Sequence, residues 1–285
     1  VQRSRLLLQS ADSLSDASDA RAIMVAIDAL PDEIENLPDR AVLVARDEGD
    51  RRLIRRYGIE PTAIIDVPDV ELDRLGQVKL AAIIALSNRI LDLGDTVIFL
   101  TGPFRSIIDT LVVMSIGSEY VLFDTTEQPT IDEHIKRAVF HRVLTLALEL
   151  GQHGREGRRV GTLLVAGDHA QVLERSEQMI LNPFKGYDER ERNILDDRML
   201  ETIKEYSTLD GAFIIRGNGV VETAGARLTV GSTEGLPPGL GARHAAAVGV
   251  TANTRSIAIT VSESDGTVRV FRAGRMVASF EPSRR

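Results

Sequence analysis

The sequence predicts two α/β domains: an N-terminal mostly parallel α/β sandwich over residues 1–130, and a C-terminal mixed-sheet α/β domain over residues 131–285. Three observations predict this. At roughly 100–200 residues per domain, 285 residues make two, and 43% hydrophobic content supplies a core for each. The first half alternates short β-branched runs with helical patterns, the order of a parallel sheet covered on both faces. The last part of the chain holds two strand pairs around glycine-containing turns, the order of an antiparallel sheet.

In the first domain, Ala41 to Ala45, Ala63 to Asp66, Thr96 to Thr101 and Glu119 to Phe123 read as strands. Leu72, Leu75, Val78, Ala82, Leu86, Ile90 and Leu93 recur at steps of three and four, the face of a helix ending near Gly94. The join falls at Gln128-Pro129. Thr130 with Glu133 has the spacing of a capping box and starts a helix through Val139, Val143, Leu146 and Leu150 to a stop at Gly151. A strand from Val160 to Ala166, an irregular stretch around Asn182-Pro183-Phe184 and a charged helix from about Asp197 to Tyr206 follow. The hairpins are Ala212 to Arg216 with Val220 to Thr223, around Gly217-Asn218-Gly219, and Ile257 to Ser262 with Val268 to Arg272, around Ser264-Asp265-Gly266. Between them lie a Gly/Pro loop, Gly235 to Gly241, and an alanine-rich helix starting at Arg243.

Composition removes several classes of function. A net charge of −8 lacks the basic face that nucleic acid or an anionic membrane requires. Without cysteine there are no disulfides, thiolate zinc sites or cysteine nucleophiles. The longest apolar runs, such as Leu80 to Leu86, fall far short of the roughly 18–20 residues that span a bilayer, and no signal-peptide pattern opens the chain. The expectation is a soluble, cytoplasmic protein. No GxxxxGK[ST], GxGxxG after a strand, HExxH or GxSxG motif is present.

Three clusters remain. Arg243 and His244 fall in the first turn of a helix behind a glycine-rich loop, where unpaired amides and the helix dipole favour an anion and a guanidinium can add a bidentate contact. The alternative is an ordinary capped helix. Asp210-Gly211-Ala212 puts a carboxylate at the mouth of an apolar strand, able to bind a metal or take a hydroxyl proton; the alternative is a simple helix-to-strand turn. Ser262-Glu263 offers a hydroxyl and a carboxylate at a strand end. All three end strands or start helices, where ligand sites of α/β folds gather. Of the other histidines, His134 and His141 lie seven apart on one predicted helix face with nothing to complete a metal site. His153 sits in a turn, and His169 follows Asp168 at a strand end.

Leu209-Asp210-Gly211-Ala212-Phe213, then Gly241-Ala242-Arg243-His244, then Val261-Ser262-Glu263 resemble, in order and separation, the three signature segments of the diadenylate cyclase domain. The resemblance covers about residues 131–285 and takes in Asn182-Pro183-Phe184. The preceding domain resembles, in its strand and helix pattern, the C-terminal domain of pyruvate kinase, and the pairing resembles the soluble archaeal-type diadenylate cyclases. The family implies condensation of two ATP into cyclic di-AMP and two pyrophosphates with Mn2+ or Mg2+. It implies Asp210 at the attacking 3′-hydroxyl and the metal, and Gly211 and Ala212 against the nucleoside. Leu228 lies where an apolar contact to adenine is expected. Gly241, Ala242, Arg243 and His244 would lie at the phosphates, with Ser262 and Glu263 completing the phosphate and metal side. It also implies self-association through face-to-face cyclase domains, with the N-terminal domain as a regulatory or second oligomerisation unit.

Two positions depart from the pattern. Where the family commonly reads Gly-Thr-Arg-His-Arg, this chain has Ala242 and Ala245, one hydroxyl and one cation fewer. Arg255, Arg227 or Arg216 are the candidates to restore the charge. The competing readings are a catalytically weakened nucleotide-binding regulatory module of the same fold and an allosteric partner of a glycolytic enzyme. The first is separated from a cyclase by whether ATP and Mn2+ yield cyclic di-AMP. Against the second, the first domain lacks the barrel that carries pyruvate kinase chemistry.

Overall fold

The computed structural model describes residues 2–30, 37–38, 40–56, 61–103, 106–117, 134–229 and 241–282. The chain divides into two compact units, Val1–Gln128 and Pro129–Arg285. The expected strand at Glu119 to Phe123, the Thr130/Glu133 cap and most of the Gly235 to Gly241 loop lie outside the described residues.

The first unit runs α1 (Gln2–Ser18), β1 (Ala22–Ala26), β2 (Ala41–Ala45), α2 (Glu48–Arg56), β3 (Ala63–Asp66), α3 (Arg74–Ser87), β4 (Thr96–Thr101) and β5 (Thr110–Ser115). Its sheet has the order β3-β2-β1-β4-β5, parallel throughout except for β5 against β4. Every residue of β1 and β2 is buried, as continuous apolar runs covered on both faces require. Leu8 and Ala11 of α1 and Ile54 of α2 join Ile23, Val25, Leu43, Ile98 and Leu100 in one core. Asp73 caps α3 by accepting from the Gly76 amide, and the helix stops at Ser87, seven residues before the expected Gly94. Arg46 is buried against Asp28 at 3.0 Å and Gln77 at 2.6 Å, so its charge is paired where the sheet meets α3.

The second unit runs α4 (Arg137–His153), β6 (Thr162–Ala166), α5 (His169–Glu174), β7 (Ser176–Gln178), α6 (Arg198–Tyr206), β8 (Ala212–Ile215), β9 (Val221–Leu228), α7 (Ala242–Asn253), β10 (Ile257–Val261), β11 (Val268–Arg272) and β12 (Arg275–Phe280). Its seven strands take the order β12-β11-β10-β6-β8-β9-β7, and only β6–β8 is parallel. The mixed sheet follows from the two hairpins, β8–β9 and β10–β11, set on either side of β6. Val250 and Ala247 of α7 pack on Leu163, Val165, Ile214 and Phe271. Helix α4 begins at Arg137 and continues through Gly151 to His153, because Gly154, at φ +62°, is the residue that takes the non-helical turn.

His134 consequently precedes α4 rather than sharing a face with His141; its Nε2 accepts from Arg255 at 2.9 Å, while the His141 ring lies against Phe140. His169 opens α5 instead of ending a strand. Asn182 and Phe184 are structural: the Asn182 amide donates to the Glu222 carbonyl at 2.7 Å, and the Phe184 ring meets Tyr206 edge-on.

Candidate active site

A cavity of about 760 Å³ opens in the second unit, and all ten sequence-selected residues line it: Asp210, Gly211, Ala212, Leu228, Gly241, Ala242, Arg243, His244, Ser262 and Glu263. Four separated segments converge on it. Asp210 and Gly211 precede β8, Leu228 ends β9, Gly241 to His244 open α7, and Ser262 and Glu263 follow β10.

The cavity does not sit at the carboxyl ends of the parallel strands β6 and β8. It occupies the amino-terminal ends of β6 and β8, beside Leu163, Gly211 and Ala212. The antiparallel strands β9 and β10 bring their carboxyl ends to that same edge, so Leu228 and Ser262 reach it from the opposite chain direction. A mixed sheet therefore places both kinds of strand end around one opening.

Arg243 stands between the two acids. Its Nη2 is 3.4 Å from Asp210 Oδ1 and its Nη1 is 3.4 Å from Glu263 Oε2. The Asp210 side chain is 85% exposed and that of Glu263 66%, so these long contacts are solvated and hold the guanidinium only weakly. Gly161, just before β6, makes room for the arrangement. A Cβ there would lie 2.6 Å from Arg243 Nη1 and 2.9 Å from Glu263 Cβ.

Gly211 has a sharper requirement. Its φ is +100°, and a Cβ would come within 2.6 Å of the Gly225 carbonyl carbon, so both conformation and space call for glycine where β8 meets β9. At the head of α7, the Gly241 carbonyl accepts from the His244 and Ala245 amides. The Ala242 and Arg243 amides are left without an intrahelical acceptor, as the first turn of a helix dictates.

His244 is buried, and its ring sits edge-on to Phe271 with centroids 6.0 Å apart. Arg269 Nη1 lies 3.2 Å from His244 Nε2; a guanidinium can only donate, so Nε2 accepts and the proton of the neutral ring is on Nδ1. Burial, the Arg269 charge and the Arg243 charge lower the His244 pKa against a raising effect from Asp265. Asp265 also lines the cavity; burial pushes its carboxyl up, but bonds from Ser262 and Thr267 and the Arg269 charge outweigh this and take it to about 2.

The arginines proposed to replace the missing cation divide. Arg216 bonds Glu222 and Glu189, Arg255 bonds His134 and donates its amide to Asp168, and neither lines the cavity. Arg227 does line it, bonded to Glu177. Sequence reasoning missed Arg269, whose only available signal was its place two residues before Phe271 on the same face of a strand. It also missed Gly161.

Among the described residues, no three His, Asp or Glu side chains cluster as a metal site, and no helix is long and apolar enough to cross a membrane.

A family model described as DisA bacterial checkpoint controller nucleotide-binding (DAC) matches residues 149–276. A diadenylate cyclase of Methanocaldococcus jannaschii is 39% identical over 206 residues, which cover 70% of this chain and 64% of that protein. One from Haloferax volcanii is 35% identical over 203 residues, covering 70% of this chain and 72% of that protein. The crystal structure of DacA from Staphylococcus aureus aligns over 51% of this chain and 87% of its own at 23% identity, with a TM-score of 0.36. On the sequence relationships, this chain belongs to the diadenylate cyclase family.

Proposed function

We propose that this chain is itself a diadenylate cyclase, joining two ATP molecules through two 3′,5′ linkages into cyclic di-AMP with release of two pyrophosphates. The observation that carries the reading is the convergence of all ten sequence-selected residues on one cavity, with Arg243 between Asp210 and Glu263.

Attack of a 3′-hydroxyl on an α-phosphate asks for alignment, charge neutralisation and a proton acceptor more than for covalent help from the protein. Leu228 and Ala212 offer the apolar wall for the nucleoside, and Gly211 lets a planar base approach the backbone. The free amides of Ala242 and Arg243, the Arg243 guanidinium and the Ser262 hydroxyl face the phosphates, with His244 behind them. Asp210 is the carboxylate that accepts the 3′-hydroxyl proton in this reading.

The donor set suits Mn2+ or Mg2+: Asp210 and Glu263 are two oxygen ligands held near one guanidinium, and hard cations complete such shells with substrate phosphates and water. When bound, the ion would neutralise phosphate charge. Because Arg243 is loosely held, it can turn from the carboxylates towards phosphate as they take up the metal.

One chain carries one copy of each motif, so two cyclase units meet face to face to close both linkages, and the partner is a second copy of this chain. The first unit, similar in pattern to the C-terminal domain of pyruvate kinase, then serves as a regulatory or second oligomerisation unit. ATP as substrate fits a cytoplasmic protein.

The test is incubation of the purified chain with ATP and Mn2+ or Mg2+, with chromatography of the products; cyclic di-AMP is expected. ATP binding without product under either metal would favour a regulatory nucleotide-binding module, the reading that Ala242 and Ala245 keep in view.

A further inference from the structure

We propose that Arg269 is the second phosphate-binding cation of this cavity, supplied by strand β11 in place of a charge that helix α7 does not carry. The inference rests on the reading of the cavity as a nucleotide site.

Three arginines line the cavity, and they are not equivalent. Arg227 is matched by Glu177 and Arg243 by Asp210 and Glu263. Among the described residues Arg269 forms no ion pair; its bond is to the neutral ring of His244. Asp265 shares the same wall but spends its carboxylate on the Thr267 amide, at 2.9 Å, and on Ser262. Although the Asp265 charge lies near enough to feel Arg269, it does not bond the guanidinium, which keeps most of its five donors for a ligand.

Its aim is fixed by the sheet. Arg269 pairs with Thr260 of β10, and Arg269 and Phe271 project from the same face of β11. The His244 ring touches both, 3.2 Å from one and edge-on to the other. His244 in turn belongs to the first turn of α7, whose residues Ala242 and Arg243 line the cavity. The side chain is therefore half-buried and braced at the anion end of the helix, where a fork of N–H donors matches phosphate oxygens. With Ala245 uncharged, α7 brings one guanidinium to this place, and β11 brings the other. A triphosphate entering a cavity that already holds Asp210, Glu263 and Asp265 needs both.

The test compares ATP with adenosine, which lacks phosphates, by calorimetric titration of the full chain and its Arg269→Gln variant in the presence of Mg2+. Glutamine can still donate to His244 but has no charge. ATP affinity should fall roughly 10- to 100-fold, the loss of a charge-assisted contact, while adenosine affinity stays within twofold. Adding Ala245→Arg to the Arg269→Gln chain should restore part of the loss for ATP. Unchanged ATP affinity, or equal losses for both ligands, overturns the inference and leaves the cyclase reading intact; the second result would make Arg269 a brace for His244 only. If wild-type chain binds no ATP, the cyclase reading and the inference fall together. Should Arg269→Gln not fold, Arg269→Lys carries the same comparison: a smaller loss confined to ATP supports the inference, and equal losses for both ligands overturn it.

Discussion

The Arg243 guanidinium stands 3.4 Å from the Asp210 carboxylate, across a sequence separation of 33 residues. The contact joins the first turn of α7 to the mouth of β8, and it is too long and too exposed to contribute much to stability. Its value to the proposed reaction is positional: the cation stands between two carboxylates, where an anionic ligand and a metal ion would compete for the same charges.

Asp210→Asn should keep the fold and lose nearly all cyclisation. The neutral amide cannot serve as a carboxylate metal ligand or proton acceptor, and loss of general-base help alone costs ~10²–10⁴ in rate. Cyclic di-AMP formation measured beside a melting curve decides it; a folded variant with wild-type activity removes Asp210 from the chemistry.

Arg243→Ala should weaken ATP binding by about 1.5–3 kcal/mol, the range for hydrogen bonds to charged groups, with unchanged melting of the ligand-free chain. Titration with ATP and a thermal melt test both halves. A large loss of stability with intact binding would make Arg243 a structural residue.

Gly211→Ala should destabilise the second unit by about 1–3 kcal/mol or more, because alanine at φ +100° is strained and its Cβ meets the Gly225 backbone. Urea unfolding should show a lower midpoint. A variant as stable as wild type would mean that β9 gives way freely at this point.

Acidification from pH 7 to 5 should destabilise the protein in part through His244. Its folded pKa is lowered, so the unfolded chain binds the proton more readily; the stabilisation is present above the unfolded value near 6.5 and is lost as pH falls towards and through the folded value. Arg269 and Arg243 oppose ring protonation and Asp265 favours it. Unfolding free energy measured across this window should fall less steeply in His244→Gln than in wild type. Identical slopes would show that the ring takes up its proton without cost.

Specific activity should rise with enzyme concentration below the association constant, and excess Asp210→Asn chain should depress wild-type activity through mixed pairs. Activity that stays constant at dilutions where light scattering finds monomer alone, with no effect of the inactive chain, would rule out the two-chain arrangement.

Both hairpins of the second unit were legible because Gly217-Asn218-Gly219 and Asp265-Gly266 announce turns between β-branched runs, and local chemistry decides such turns. Helix α1 was not, because its buried face is Ser4, Leu8, Ala11 and Ser15, helical in spacing but half serine. Strand β12 escaped for a related reason: it is a short mixed run whose burial is conferred by neighbours far away in the chain, whereas β1 is a continuous apolar run whose signal went unread. The motif residues were legible as types in order, yet Arg269 and Gly161 were not, since neither belongs to a motif. Their importance comes from which segments the sheet places beside them, a property of register rather than of local sequence.

The strands that frame the cavity run β9, β8, β6, β10, β11 without interruption. At roughly 4.8 Å per step, the backbones carrying Leu228 and Arg269 are separated by about 19 Å of hydrogen-bonded sheet. Main-chain bonds make that distance stiff, so the sheet works as a ruler with an apolar mark at one end and a cationic mark at the other. A molecule that engages both marks must have its apolar and anionic parts separated to match, and one shortened by the loss of phosphates releases one mark when it holds the other. Length is thereby selected by the scaffold, before any side chain discriminates.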